Sequence, residues 1–413
     1  MIVGVVGTQG SWLKSKIIDI KNINEMEILG AAKVDRIKTR GRSDFIHKIG
    51  TKKPSGEQVR IIGFEAGMKL LLKWYIKNGI IGSPQDIEVI GFKCTFGERN
   101  GAGILTQKML DEINRYRFFN SANNISGVEA IEGLRRVLDV PVVGVFDSSF
   151  HHSIPEFRRL LGFPWNWYKK LGIKKNGFDG LSHQYMTAMI CKMEEDKKLN
   201  LITIYLGENS SVCAVKNGKS IDTSAGFSPD SGLLQRKAAG DVDGTALLFA
   251  MNELGLSVED TLAELTDNAG LNAASGIQIE DFKDLLSAAN KGNKRAKLAV
   301  DSYIDGIRKY IGAFSTVLGS VDCIVFSGEI GENNVHIRKR CLEDMDYMGI
   351  RLDLARNKEL NGALSLISSD YSVVSKTKIY IVPAAEEMVI AYFAKKVIEK
   401  GKDLAPEEMI FKL

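Results

Sequence analysis

Two signatures alternate along the chain: short apolar β-type runs that close on glycine, and longer stretches with apolar residues at helical spacing. The first run, IVGVVG at 2–7, gives way to Thr, Gln and Gly and predicts a buried strand turning into a loop. Further strands are expected near 25–34 and 58–64. Residues 65–79 place their apolar positions on one helix face and stop at Gly79, which predicts an amphipathic helix. A strand over 87–94, helices near 104–115 and 126–137, and a strand over 140–147 complete a first cycle. Strands preceding helices with apolar crossovers indicate a mixed α/β layer.

A second cycle starts after a Trp-rich stretch, 163–175, that has no clear period. A helix is expected near 183–197, and LITIYLG at 201–207 mirrors the opening strand, again closing on Gly. Residues 211–224 form two β-type runs around Asn217-Gly218, a strong short-range hairpin signal. Helices dominate 243–318. A buried strand enters a glycine loop over 321–333, a last strand covers 378–383, and a closing helix covers 385–399. The strand-then-glycine turns at 2–10 and 201–209 suggest two similar halves with facing loops, and a cleft between such halves is the default place for a ligand. The glycine turns are open to two readings, phosphate contact or structural tight turns, because neither GxxxxGK[ST] nor a clean GxGxxG occurs.

Composition narrows the class. The 413 residues suggest two or three domains at roughly 150 residues each. Gly is abundant at 40 against 8 Pro, which fits α/β architecture with many tight turns. The 55 basic and 51 acidic residues leave a net charge of +4, too mild and too evenly spread to point to nucleic acid or an anionic membrane. The opening residues lack the basic region of a signal peptide, and no run reaches the roughly 18 apolar residues of a membrane span. Cys94, Cys191, Cys213, Cys323 and Cys341 are an odd set without CxxC spacing, so free thiols in a cytoplasmic setting are expected and a zinc site is not.

Several segments together resemble the acetate kinase family. They are ITIYLGENSSVCAVKNGKSIDTSAGFSP (202–229), VFDSSFHHSIP (145–155), NGFDGLSHQY (176–185), GNKRAKLAVDSYIDGIRKYIGAF (292–314), FSGEIGEN (326–333) and VPAAEEMVIA (382–391). The resemblance implies an α/β fold of two RNase H-like (actin/sugar kinase-like) domains flanking a nucleotide cleft. The expected boundaries are 1–150 plus 385–413 for one domain and 151–384 for the other. It further implies ATP and Mg²⁺ as cofactors, a short-chain carboxylate as substrate, and a homodimer.

Residues carry over one at a time. The family's catalytic aspartate falls on Asp147, which the residue pattern alone reads either as a metal or orienting carboxylate or as a strand-end cap. The glutamate of the family's closing motif falls on the Glu386–Glu387 pair, read either as reaching a metal or as first-turn helix acids. Asp147 and Glu386 are the expected metal ligands. The cationic positions depart from the family: Lys93 stands for an arginine, Phe96 for a histidine, Ala238 for a second arginine and Asp179 for a histidine, while His183 is retained. Gly207, Glu208, Asn209, Gly328, Gly331, Glu332 and Asn333 occupy the nucleotide-loop positions, with Glu208 and Glu329 adding acids there. Phe178, Pro229, Phe119 and Thr95 are the candidate walls of the acyl pocket.

Phosphoryl transfer relies on positioning and on cations that stabilise spread negative charge. The expected activity is therefore a divergent carboxylate kinase in which Asp147 and Glu386 organise Mg²⁺, Lys93 supplies positive charge and Asp179 joins the catalytic set. The alternative is a catalytically impaired or repurposed paralogue that binds nucleotide, another anion or a protein partner. A third reading makes Asp179 a general base for a different small molecule, against the plain reading of a turn aspartate between Gly177 and Gly180.

Overall fold

The structure, a computed structural model, describes residues 1–37, 41–95, 100–116, 121–279, 281–359, 362–372 and 375–413. The chain divides into two compact units: Met1–His152 with Ala385–Leu413, and Ser153–Ala384.

Among the described residues of the first unit, eight strands form one sheet: β1 (Ile2–Gln9), β2 (Trp12–Asn22), β3 (Glu25–Val34), β4 (Ser43–Ile49), β5 (Ser55–Val59), β6 (Val89–Cys94), β7 (Ala102–Ile104) and β8 (Val142–Phe146). Their order is β5-β4-β3-β2-β1-β6-β8-β7. β1, β6 and β8 run parallel, the first five strands form an antiparallel meander, and β7 returns antiparallel along the far edge. The helix Phe64–Lys77 covers the sheet through Phe64, Met68, Leu71, Leu72 and Tyr75, the spacing its sequence predicts. The loop expected after Gly7 is instead a hairpin. β1 continues to Gln9, turns at Gly10 with φ 58°, and returns as β2, so that Gly7 pairs with Lys14. Pairing satisfies the backbone of both strands, and the alternation of WLKSKIIDI fits a half-buried strand.

The second unit repeats the plan. Among its described residues, β9 (Asn200–Leu206), β10 (Ser210–Lys216), β11 (Lys219–Thr223), β12 (Cys323–Ser327), β13 (Ser365–Leu366) and β14 (Lys378–Ile381) lie in the order β11-β10-β9-β12-β14-β13. Again three parallel strands, β9, β12 and β14, carry an antiparallel meander on one side and a short antiparallel strand on the other. The echo in the sequence is therefore a repeated topology. Asn217 and Gly218 both have positive φ, 54° and 74°, as the expected tight hairpin requires. The helix Lys294–Leu318 buries Ala296, Ala299, Val300, Tyr303, Ile304, Ile307, Ile311, Phe314 and Leu318 at three- and four-residue steps. The Trp-rich stretch carries a short helix, Trp165–Leu171, that buries none of its residues.

No helix among the described residues is long and apolar enough to cross a membrane. All five cysteines are free.

Candidate active site

Among the described residues of the first unit, strand register assembles a cluster of three acids and three lysines. β6 and β8 are parallel neighbours with Lys93 opposite Val145. Asp147 lies two residues beyond Val145, at the start of the 3₁₀ turn Asp147–Ser153, so it continues on the same face as Lys93. The helix Glu386–Lys400 crosses this face. It comes so close to β6 that a Cβ on Gly91 would meet Ile390 Cγ2 at 2.7 Å. Its first residue, Glu386, accepts a hydrogen bond from Lys93 Nζ at 2.8 Å, and the same ammonium stands 3.5 Å from Asp147 Oδ2. Three segments distant in sequence thus converge on one cation. Asp147 is buried, while Lys93 and Glu386 keep about a fifth of their side chains in water, 20% and 23%.

Glu387 turns the other way. Its carboxylate pairs with Lys14 and, at 2.9 Å, with Lys16, which share one face of β2 because they are two residues apart. Burial works against ionisation of both glutamates. The Lys93 ammonium nevertheless brings Glu386 below the usual carboxylate range, and Lys14 with Lys16 holds Glu387 well below it. Both acids also sit at a helix N-terminus, where the backbone dipole favours negative charge.

In the second unit, Asp179 has φ 55° and precedes the helix Gly180–Met193, a left-handed turn position that aspartate tolerates. It is buried, and Ser211 Oγ donates to its Oδ2 at 2.7 Å. His183 Nε2 lies 2.9 Å from Ser211 Oγ and its Nδ1 lies 2.8 Å from Thr203 Oγ1. With the serine proton directed at Asp179, the Nε2–H of a His183 ring protonated there donates to Ser211 Oγ. Thr203 on β9 and Ser211 on β10 reach the same helix because Thr203 pairs with Cys213 and Tyr205 with Ser211, both on one face. Asp179 is therefore a turn residue whose carboxylate anchors a buried serine–histidine–threonine chain.

The nucleotide-loop candidates lie in the same unit. Gly207, Glu208 and Asn209 form the turn between β9 and β10, closed by the Gly207 N–H donating to the Asn209 carbonyl at 2.9 Å. Glu208 does not stand as an unbalanced acid: Arg236 donates to its Oε1 at 2.5 Å. Gly328, with φ 82°, opens the helix Gly328–Asn333, and a Cβ there would lie 2.5 Å from the Leu206 carbonyl. Glu332 Oε1 accepts from the Gly328 and Ala384 N–H groups at 3.0 and 2.9 Å, so this acid fastens the loop, and burial raises its pKa. Asn333 bonds the Glu329 carbonyl, and Gly331 is buried. Arg338, fully buried, donates to the carbonyls of Gly331 and Glu332 at 2.8 Å and to Asn357, closing the C-terminal end of this short helix.

Of the proposed pocket walls, Phe178 and Pro229 are buried in the second unit. Their segments are joined where the Asn176 and Gly177 N–H groups both donate to the Gly226 carbonyl. Thr95 is half-buried in the first unit, and Phe96 and Phe119 lie outside the described residues. Ala238 is buried and its carbonyl accepts from the Gln235 N–H. Asp230, next to Pro229, is pushed up to about 6 by burial and by Asp267. The sequence carries no local signal for Asp230. For Lys14, Lys16 and Ser211 the signal is present but weak: polar residues alternating inside otherwise apolar strands.

The profile described as the acetokinase family matches residues 2–392. The acetate kinase of Clostridium novyi (strain NT) is 34% identical over 406 residues, covering 96% of this chain and 98% of that protein. The acetate kinase of Clostridium botulinum (strain Okra / Type B1) is 34% identical over 409 residues, covering 96% and 99%. Among solved structures, the acetate kinase of Porphyromonas gingivalis superposes with a TM-score of 0.84 at 27% identity, covering 96% of this chain and 99% of that one. A propionate kinase of Francisella tularensis subsp. tularensis SCHU S4 gives 0.86 at 25% identity with the same coverage.

Proposed function

The chain belongs to the acetokinase family, and from that premise we propose that it phosphorylates acetate, propionate or a similar short carboxylate at the expense of ATP. A carboxylate oxygen attacks the γ-phosphorus, the bond from that phosphorus to the β–γ bridging oxygen breaks, and acyl phosphate and ADP result. The observation that carries the reading is the convergence of Lys93, Asp147 and Glu386 on one point of the first unit.

The family implies ATP and Mg²⁺. The donor types fit such a metal, because two carboxylates are hard oxygen ligands and Mg²⁺ completes its shell with water and substrate phosphate. Asp147 and Glu386 are the residues that would hold it, and when bound it neutralises phosphate charge. Lys93 supplies a positive charge as a compact ammonium rather than a bidentate fork. In the second unit, the Gly207–Asn209 turn and the Gly328–Asn333 helix present backbone to the nucleotide. Glu332 and Arg338 keep that backbone in place. Arg236 offsets Glu208, so the acid at this family position brings no net charge to a phosphate. Phe178 and Pro229 supply apolar wall for the acyl chain, and the anchored Asp179 takes the place of a family histidine.

Asp179 favours a second reading, nucleotide binding without turnover, because an acid stands where the family carries a histidine and offers no positive charge to a transferring phosphoryl group. A hydroxamate assay with ATP, Mg²⁺ and a panel of short acids separates the two. Acyl phosphate with at least one acid supports the kinase. Tight ATP·Mg²⁺ binding by calorimetry with no product from any acid sinks the kinase and leaves the binding role.

A homodimer and a cytoplasmic setting complete the proposal. The helix Gly244–Leu254 buries none of its residues and exposes Leu248, Phe249 and Leu254, apolar side chains that a second copy would cover. The five free thiols suit a reducing compartment.

A further inference from the structure

The two acids assigned above to a divalent metal are already closed on a cation. Lys93 Nζ is 2.8 Å from Glu386 Oε2 and 3.5 Å from Asp147 Oδ2. A metal bound to these carboxylates competes with the ammonium for the same two groups. Two cations within a few ångströms of each other repel strongly where burial limits screening. The surrounding charge sharpens the conflict. Among the described residues, Asp147, Glu386 and Glu387 face Lys93, Lys14 and Lys16, so both acids proposed for the metal already have an ammonium beside them.

We propose that Lys93 is a resident cation of this site, and that the protein accepts a divalent metal between Asp147 and Glu386 only as Lys93 gives up both carboxylates. The side-chain chemistry suits such an exchange. A lysine ammonium is a compact charge on a four-carbon stem with rotatable donors, and it can leave one anion for another without rebuilding a planar fork. Release from the two acids makes Lys93 available to a phosphate oxygen. A metal that arrives with a polyphosphate supplies the two acids with a new cation and the lysine with a new anion in one step. Metal alone meets acids that already face an ammonium and binds weakly.

This inference rests on reading Asp147 and Glu386 as the metal-facing acids, but it is tested without nucleotide, carboxylate or turnover. The probe is Mn²⁺, titrated into the full chain and followed by the paramagnetic resonance of the free ion. Lys93→Met is expected to bind Mn²⁺ at least tenfold more tightly than the wild type, and Lys93→Arg, which keeps a cation in place, no more tightly. An unchanged or weaker affinity in Lys93→Met overturns the proposal. Lys93→Met leaves the buried Asp147 without its ammonium and lowers stability, so a second measurement uses the wild type alone. Amine labelling read residue by residue by mass spectrometry is expected to rise several-fold at Lys93 when Mn²⁺ saturates the protein. Equal or lower labelling at Lys93 overturns the proposal as well. Failure of both leaves the hydroxamate result standing, and an inactive kinase leaves both readouts intact.

Discussion

Glu386 and Glu387 are chain neighbours with different partners. Glu386 meets Lys93, and Glu387 meets Lys14 and Lys16 on β2. The difference follows from helical geometry, which turns consecutive side chains about 100° apart. Glu387 is the more buried of the two, with a side-chain exposure of 8%, and it is the structural member of the pair. Its carboxyl is held below the usual range, so its contribution to stability is present above the unfolded-state value of about 4.3 and is lost as pH falls below that. Glu387→Gln is expected to cost about 2 kcal/mol at pH 7, less than a fully buried broken pair because Lys14 is partly in water. The difference from wild type should shrink by pH 3, and urea melts at the two pH values check it. An equal difference at both would mean that the charge on Glu387 is not what stabilises the unit. The sequence showed two adjacent acids after a strand. It could not show which one faced which lysine, because that depends on the strands beneath the helix.

At the scale of elements, the helix Gly328–Asn333 is too short to hold itself and is fixed at both ends. Glu332 takes the N–H of Gly328 at its start, and Arg338 takes the last carbonyls. Gly328 permits the turn through its positive φ and its lack of a side chain against Leu206. Gly328→Ala should therefore weaken ATP binding by at least tenfold in calorimetry, with a melting temperature a few degrees lower. Retained affinity would remove this loop from the nucleotide site. Ile307, buried in the middle of the helix Lys294–Leu318, is a packing contrast. Ile307→Ala is expected to cost about 3 kcal/mol in urea melts, as for a large-to-small core substitution, with ATP affinity unchanged in the folded fraction. Periodicity made the Lys294–Leu318 helix readable in sequence. The β1–β2 hairpin was not read, because Gly7 looked like a stop when it is a paired strand position opposite Lys14.

For the whole molecule, the exposed Leu248 and Phe249 of the helix Gly244–Leu254 make the oligomeric state testable. Leu248→Glu with Phe249→Glu should turn a dimer into a monomer in light scattering at micromolar concentration. A wild type that is already monomeric refutes the dimer. The chain by itself determined the alternation of strands and helices and the Asn217-Gly218 hairpin, since these follow from local periodicity and turn chemistry, and its echo at 2–10 and 201–209 suggested two similar halves. It also marked Asp147, Lys93 and Glu386 as candidates through their place in family-like segments. Tertiary structure alone decided how those candidates combine. The parallel register of β6 and β8 and the close crossing of the helix Glu386–Lys400 put one lysine between two acids 293 and 54 residues apart from it. The pairing of β9 with β10 likewise gave Asp179 its serine, and the fold gave Glu208 its arginine. Charge compensation is a property of neighbours in space, and a sequence orders neighbours only along the chain.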